Sequence, residues 1–149
     1  MSSTFQHVAV VGAGAVGGFF GAKLALAGHR VTLIARPVHV QAIERDGLRL
    51  QTGGRVETAR VAASADLAAV RGADLVLFCV KSTDTAAAAA QMAPHLAPGA
   101  LVLSLQNGVG NAAVLHIRLP GRRVLGGMVP FNVMALGSGR FHRATSGDI

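Results

Sequence analysis

The sequence predicts an α/β fold in which helices cover both faces of one mostly parallel β-sheet. Strand-like and helix-like segments alternate along the 149 residues, and parallel strands need such crossover connections. The strand-like segments are continuous apolar runs, as expected of strands buried on both faces. Hydrophobic residues make up 51% and charged residues 14% of the sequence, which suits a buried sheet in a single domain spanning 1–149.

The sequence of residues 7–46 predicts two strands and two helices in alternation. Gly28 and Gly47 follow the two helices, at the position where a left-handed residue often ends a helix. Pro37 precedes the second helix, where its missing N–H has no cost. In order, these elements are a strand at 7–13, a helix at 15–28, a strand at 30–35 and a helix at 38–46.

The pattern changes between residues 48 and 63. Apolar and polar residues alternate there around Gly53 and Gly54, which predicts a β-hairpin. Ser82 or Thr83 is expected to cap a later helix, because a hydroxyl can accept a bond from a first-turn N–H. The remaining predicted elements are a helix at 66–71, a strand at 74–80, a helix at 82–96 that bends or ends near Pro94, a strand and turn at 100–108, a helix at 109–118, a strand from near 123 and a turn at 137–139.

The formal net charge of +7, from 14 basic and 7 acidic residues, leaves several interpretations open. The basic residues can form a solvated surface, or they can attract an anionic cofactor or substrate. Nucleic-acid binding is disfavoured, because no basic run is longer than Arg122–Arg123 and the chain lacks Tyr and Trp for stacking on bases. We expect no nucleic-acid partner.

The sequence carries no signal for secretion, membrane insertion or metal binding. Cys79 is the single cysteine, so no internal disulfide is possible. The first seven residues lack the charged start and apolar stretch of a signal peptide. The apolar runs are shorter than the roughly 20 residues of a bilayer span, and the histidines show no metal-ligand spacing. We expect a cytoplasmic protein with no membrane partner and no metal.

A glycine-rich loop follows the first strand. Gly12, Gly14 and Gly17 fit the pattern G-x-G-x-x-G between a predicted strand and a predicted helix, which is the context of Rossmann-like dinucleotide sites. The first glycine permits the tight turn, the second lets the backbone approach a pyrophosphate, and the third lets the helix pack closely. The helix N-terminus would then attract the pyrophosphate. The alternative is a loop that only closes a tight turn. The predicted cofactor-binding residues here are Gly12, Ala13, Gly14, Ala15, Val16 and Gly17.

The end of the second strand decides which dinucleotide is expected. Sites that bind NAD usually place Asp or Glu here, to bond the ribose 2′-hydroxyl. This sequence has Arg36 instead. A carboxylate would repel a 2′-phosphate, whereas a guanidinium can bind it through two parallel hydrogen bonds. We therefore predict NADP(H) as the cofactor, with an ordinary surface arginine as the alternative.

Two more polar residues follow predicted strands: Lys81 in VKSTDT and Asn107 in LQNGVGN. Ligands of open parallel sheets bind at the carboxyl ends of the strands. From there, these side chains could face the ribose and the reacting carbonyl. Spacing alone leaves two alternatives open, a solvated lysine and an asparagine that only makes a turn with Gly108.

Together these segments resemble the ketopantoate reductases (2-dehydropantoate 2-reductases). The resemblance rests on VVGAGAVGGFFGAKLALAGHRVTLIAR, VKSTDT and LQNGVGN, in that order. It covers essentially the whole chain, because VLGGMVPFNVMALGSGRFHRATSG is similar to the strands that follow the family's asparagine motif. The resemblance implies reduction of 2-dehydropantoate to pantoate by NADPH, a step towards pantothenate and coenzyme A.

The resemblance also implies a role for each candidate residue. The loop from Gly12 to Gly17 would hold the pyrophosphate, and Arg36 the 2′-phosphate. Lys81 would lie beside the nicotinamide ribose. Asn107 would contact both the cofactor and a 2-oxo acid substrate.

One departure from the family limits what we expect of this chain. Family members have about twice this length, and a helical second domain carries their catalytic lysine and most substrate-binding residues. The lysines here are Lys23, expected on a solvated helix face, and Lys81, which matches the cofactor-side lysine. We therefore expect an NADPH-binding domain that ends at Ile149 without a catalytic residue, has little turnover alone, and self-associates through the face a second domain would cover.

Other functions remain open at this point. The same first domain could belong to another NADP-dependent 2-hydroxyacid or polyol-phosphate dehydrogenase, which a substrate panel would identify. It could also be a non-catalytic dinucleotide-binding module, which would bind NADPH tightly without chemistry even when a complementary domain is supplied.

Overall fold

The computed structural model describes residues 5–106, 110–129, 133–137 and 139–143. Asn107 lies outside the described residues, as does Ser138 in the turn predicted at 137–139. The strands are β1 His7–Val11, β2 Arg30–Ile34, β3 Leu48–Thr52, β4 Arg55–Ala59, β5 Ala62–Ser64, β6 Leu75–Phe78, β7 Leu101–Ser104, β8 Arg123–Gly126, β9 Val133–Gly137 and β10 Arg140–Arg143. The α-helices are α1 Ala15–Leu26, α2 Pro37–Asp46, α3 Thr85–Met92 and α4 Asn111–Arg118. Single 3₁₀ turns occur at Leu67–Val70, Ser82–Asp84 and Ala93–His95.

Six strands form a parallel sheet in the order β5-β2-β1-β6-β7-β8. Every neighbouring pair in it is parallel, which confirms the Rossmann-like α/β fold. Strand β2 lies on one side of β1, and β6, which comes later in the chain, lies on the other side. A crevice therefore opens between the carboxyl ends of β1 and β6, where open α/β sheets bind their ligands.

Alternate residues of the central strands pack into two hydrophobic layers. Val8 and Val10 of β1 face a core that includes Phe19 of α1. Ala9 and Val11 face the opposite layer, which contains residues of α3 and α4. Because both faces of β1 are buried, its sequence is apolar without alternation.

The second sheet has the order β4-β3-β10-β9. The hairpin predicted at 48–63 is confirmed for β3 and β4, which pair antiparallel. Its last part is wrong, because Ala62–Ser64 leave the hairpin and pair with β2 at the edge of the parallel sheet. Strand β10 then adds to β3 in parallel and to β9 in antiparallel orientation.

The capping residue expected for the helix after β6 is also wrong. Ser82–Asp84 form a 3₁₀ turn, and α3 begins only at Thr85 without a side-chain cap. The hydroxyl of Ser82 instead accepts a hydrogen bond from Asn111. The bend expected near Pro94 is confirmed, because α3 ends at Met92 and a 3₁₀ turn follows. Among the described residues, no helix combines the length and the apolar character that a membrane crossing requires.

Helix α1 joins the two sheets at one close contact. Phe141 of β10 is 1% exposed, and its ring lies where a side chain on Gly18 would be. Gly21, one turn later, has only ordinary neighbours, the nearest atom being 3.6 Å from a Cβ built there. The second sheet can therefore approach α1 because residue 18 has no side chain.

We expect Gly18→Ala to lower the free energy of unfolding by about 1–3 kcal/mol, since the buried ring of Phe141 has no room to move. Gly21→Ala is the matched control on the same helix. It should be neutral or raise stability by about 0.5–1 kcal/mol, because alanine favours helix. Urea denaturation measures both, and equal stability of the two variants would contradict the packing account.

The start of β1 is fixed by polar contacts. The Asp74 carboxylate accepts hydrogen bonds from the N–H groups of Gln6 and His7, at 2.8 and 3.0 Å. Burial alone would raise the pKa of Asp74, but these hydrogen bonds outweigh it and lower the pKa. The His7 ring is buried, with Nε2 2.8 Å from the Thr32 hydroxyl oxygen. Burial, together with the charge of Arg30, lowers the pKa of His7.

A lowered pKa of His7 means that the folded state favours the neutral ring. Its contribution to stability is therefore complete above about pH 6.5, the ordinary value, and is lost as the pH falls through the folded-state pKa. We expect the free energy of unfolding to fall as the pH is lowered from about 7.5 through the folded-state pKa of His7, and to fall less in His7→Gln. Denaturant titrations at several pH values test this, and parallel profiles would refute it. The Asp74 carboxyl does not interfere, because it titrates below this window.

Candidate dinucleotide-binding site

The crevice at the carboxyl ends of β1, β2 and β6 holds a cleft of about 540 Å³. Gly12, Ala13, Gly14, Arg36 and Lys81 line it together. A second cleft of about 400 Å³ continues past Lys81, and its lining includes Gly14, Ala15 and Val16. The fold thus brings the predicted loop, the arginine and the lysine to one continuous surface, although they are far apart in sequence.

Gly12 allows the loop after β1 to lie against the end of β6. Its φ is +104°, in the region that favours glycine. A Cβ there would come within 2.8 Å of the Cys79 carbonyl oxygen and 3.0 Å of the Val80 nitrogen. The Gly12 N–H also donates to the Ile34 carbonyl at 2.8 Å, which ties the loop to β2. Any side chain at this position would push the loop off both strands.

The other two glycines serve different purposes. A Cβ on Gly17 would overlap the carbonyl oxygen of Gly12, so Gly17 lets α1 start directly above the loop. No atom of the described residues lies within 4 Å of a Cβ built on Gly14. Gly14 lines both clefts with an open backbone face. The tight turn at Gly12 and the close packing at Gly17 are as the sequence pattern predicts, and the approach of a pyrophosphate to Gly14 stays a prediction.

The N-terminus of α1 is available to an anion. Gly14 is its N-cap, no side chain caps it, and its first turn has no acidic residue. The N–H groups of a first turn have no partner within the helix, and the helix dipole places partial positive charge there. A phosphate at the open face of Gly14 would meet these donors.

Arg36 lies at the junction of β2 and α2, where it is the N-cap residue of α2 in extended conformation. Its exposed side chain forms no hydrogen bond or ion pair with any described residue. His39 lines the same cleft, and its buried Nδ1 has no hydrogen-bond partner among the described residues. The sequence analysis missed His39, because a single histidine on a short helix carries no signal of its own.

Lys81 is exposed at the boundary between the two clefts. Asp84, three residues later, lines the first cleft, so one carboxylate accompanies the cations Arg36 and Lys81. Cys79 forms part of the wall of both clefts. Burial raises the pKa of its thiol to about 12, so at neutral pH Cys79 is a neutral, apolar wall and not a nucleophile.

Gln106 lines the second cleft and was also missed. Its amide hydrogen-bonds across to the turn that carries Lys81. No local pattern predicts this, because the partners are 26 residues apart. The neighbouring Asn107 lies outside the described residues, so its predicted contacts with cofactor and substrate stay a prediction. Within the described ranges, no group of three or more His, Cys, Asp and Glu side chains could hold a metal ion.

Known proteins are similar to this chain in sequence and in fold. A 2-dehydropantoate 2-reductase from Halobacterium salinarum is 38% identical over 145 residues, which cover 96% of this chain and 48% of that protein. The crystal structure of a PanE/ApbA family ketopantoate reductase from Ralstonia eutropha JMP134 matches with a TM-score of 0.90 and 55% identity, over 95% of this chain and 47% of that one.

A third relative is a dehydrogenase of a different name. The ternary structure of D-mandelate dehydrogenase with NADH and anilino(oxo)acetate matches with a TM-score of 0.84 and 25% identity, over 94% of this chain and 46% of that one. In each of these comparisons, the chain spans about half the length of its relative.

Nearly all of the described fold falls within one family match. Residues 8–149 match the family Ketopantoate reductase PanE/ApbA. The glycine loop, Arg36 and Lys81 all lie inside the matched region. The chain therefore belongs to the ketopantoate reductase family of oxidoreductases.

Proposed function

We propose that this chain is the NADPH-binding domain, residues 1–149, of a 2-dehydropantoate 2-reductase. One observation carries the proposal. The open backbone of Gly14 at the α1 N-terminus lines the same cleft as the guanidinium of Arg36, which has no partner among the described residues. A pyrophosphate and a 2′-phosphate on one ligand would satisfy both. The orphaned Nδ1 of His39 beside Arg36 supports a polar ligand in this cleft.

Different residues of the two clefts bind different parts of the proposed ligand. The loop from Gly12 to Gly17 receives the pyrophosphate, with Ala15 and Val16 donating from the first turn of α1. Arg36 binds the 2′-phosphate of the adenosine half. Lys81, where the clefts meet, faces the nicotinamide ribose. Asn107, by its place in the family motif, contacts the cofactor and a 2-oxo acid substrate.

The reduction itself needs more than this half. NADPH, when bound, supplies the hydride for the ketone carbon, and a general acid must then protonate the developing alkoxide. The only other lysine, Lys23, lies on α1 with its ammonium 5.9 Å from the ring centre of Phe19. It does not line either cleft. We therefore propose that the acid comes from the remainder of a family-length protein and that this chain alone has little turnover.

Two other functions fit part of the same evidence. The D-mandelate dehydrogenase match favours a wider 2-hydroxyacid dehydrogenase activity. A non-catalytic dinucleotide-binding module would use the same clefts without chemistry. A panel of 2-oxo acids tested on a family-length protein separates these cases. Preference for 2-dehydropantoate would support our proposal, preference for another 2-oxo acid would replace the substrate, and absence of any reduction would indicate the binding module. Cytoplasmic localisation belongs to the proposal as well.

Self-association is a further part of the proposal. At the β8 edge of the parallel sheet, Leu125 is 55% and Met128 is 85% exposed. The register places Leu125 beside the partly buried Leu103 of β7. Exposed apolar side chains of this kind favour association with another surface. A second copy of the chain could cover them.

We expect Arg36→Gln to weaken NADPH binding about 10- to 100-fold while leaving NADH binding unchanged, because a charged hydrogen-bond pair is lost only for the 2′-phosphate. Titration calorimetry with both nucleotides measures the ratio. Arg45→Gln is the matched control, since it removes the same charge from the same helix at a side chain that is 73% exposed and paired with Asp46. A variant at residue 36 that kept the wild-type preference would disprove the role of Arg36.

We expect the sedimentation coefficient of the chain to rise with protein concentration, and Leu125→Ser to suppress this rise. The substitution removes apolar surface without opening the core, because the side chain is largely exposed. Sedimentation velocity over a concentration series is the measurement. Val56→Ser, at another exposed position on β4 of the second sheet, controls for a general gain in solubility. A clean monomer at every concentration would rule out self-association.

A further inference from the structure

Lys81 lies between two residues that are both tied to a neighbouring loop. The Val80 carbonyl accepts a hydrogen bond from Nε2 of Gln106 at 3.0 Å. The Ser82 hydroxyl accepts one from Nδ2 of Asn111 at 3.2 Å. Gln106 follows β7, and Asn111 is the first residue of α4. The backbone of Lys81 is thus held on each side by a segment more than twenty residues away in sequence.

The hydrogen bonds of Gln106 fix the orientation of its amide. Its Nε2 donates to the Val80 carbonyl and, at 2.6 Å, to the Thr85 hydroxyl. Its Oε1 accepts from the Ser104 hydroxyl at 3.0 Å. Reversing the amide would place Oε1 against the Val80 carbonyl oxygen, where two acceptors repel. Both amide hydrogens are already used, so this side chain has no free N–H group to offer a ligand.

Thr85 is the central link of this network. It is 2% exposed, and its hydroxyl accepts from Gln106 and donates to Oδ1 of Asn111 at 3.4 Å. Removing the hydroxyl would take away the partner of one amide hydrogen of Gln106 at an almost fully buried position, and losing the partner of a buried donor costs more than the bond itself contributes. Each side chain in the network donates a hydrogen bond to the next, in the order Ser104, Gln106, Thr85, Asn111 and Ser82. Hydrogen bonds arranged in such a chain strengthen one another.

We propose that Thr85, Gln106 and Asn111 are positioning residues that hold Lys81 in place for the nicotinamide half of the cofactor. The inference rests on the proposed NADPH site. A network that only satisfied buried polar groups would have no reason to end on both neighbours of Lys81. Fixing that turn before the ligand arrives lowers the ordering cost of binding. The adenosine half, at Arg36, lies outside the network and gains nothing from it.

The test compares two ligands on three variants. Thr85→Val keeps the shape of the side chain and removes the hydroxyl, and Thr85→Ser restores it. Thr32→Val is the matched control, because it also removes a buried hydroxyl with a side-chain partner, His7, away from both clefts. The ligands are NADPH and 2′,5′-ADP, which carries the adenosine half alone. Calorimetry gives both affinities for each protein.

We expect Thr85→Val to weaken NADPH about fivefold or more and to leave 2′,5′-ADP within about twofold, since roughly one buried hydrogen bond is lost at one end of the site. Thr85→Ser should recover NADPH affinity, and Thr32→Val should change neither ligand. General destabilisation would instead weaken both ligands together. That result, or unchanged NADPH binding in Thr85→Val, would overturn the positioning role.

Hydrogen exchange tests, without a ligand, whether the network of Thr85, Gln106 and Asn111 holds the turn around Lys81. We expect amides of residues 80–84 to exchange faster in Thr85→Val than in Thr32→Val, because only the first variant frees the turn around Lys81. Unchanged exchange at these residues would contradict the positioning role of Thr85. If the wild-type protein bound neither NADPH nor 2′,5′-ADP, the proposed function would fail, and the exchange result alone would decide whether the turn is held.

Discussion

The structure depends on how closely the loop after β1 approaches the end of β6. At Gly12 the two backbones are so close that a single methyl group would collide with the Cys79 carbonyl. Gly17 repeats the constraint one turn later, against the oxygen of Gly12. Because of these contacts, α1 starts at the mouth of the crevice with its N-terminal donors facing the open space beside Gly14. The cleft beside the glycine loop follows from backbone packing and not from the shape of any large side chain.

The side chains around the cleft then determine what the site can select. The cations Arg36 and Lys81 line the same cleft as Cys79, whose thiol is neutral because its pKa is raised to about 12. Their backbones are held differently. Arg36 is placed by the junction of β2 and α2, whereas the turn of Lys81 relies on a polar network reached from β7 and α4. The two halves of the site should therefore respond separately to substitution.

Much of this arrangement could be predicted from the sequence, and the reasons are local. Apolar strands followed by helices require a parallel sheet, and the spacing of Gly12, Gly14 and Gly17 determines the turn, the open face and the close packing. The missed features are long-range. Strand β10 pairs with β3 about 90 residues earlier, and no short motif encodes that pairing. The caps proposed at Ser82 and Thr83 failed for a similar reason, because the Ser82 hydroxyl accepts its hydrogen bond from Asn111 on another element.

The most direct test of the central claim is an amide-resolved NMR titration of the isolated chain with NADPH. The account predicts that the largest shift changes occur at the loop from Gly12 to Gly17, with smaller changes at Arg36 and Lys81. It predicts little change on β3, β4 and β10 of the second sheet. Saturable changes confined to another surface, or no changes at millimolar NADPH, would contradict a dinucleotide site at the glycine loop.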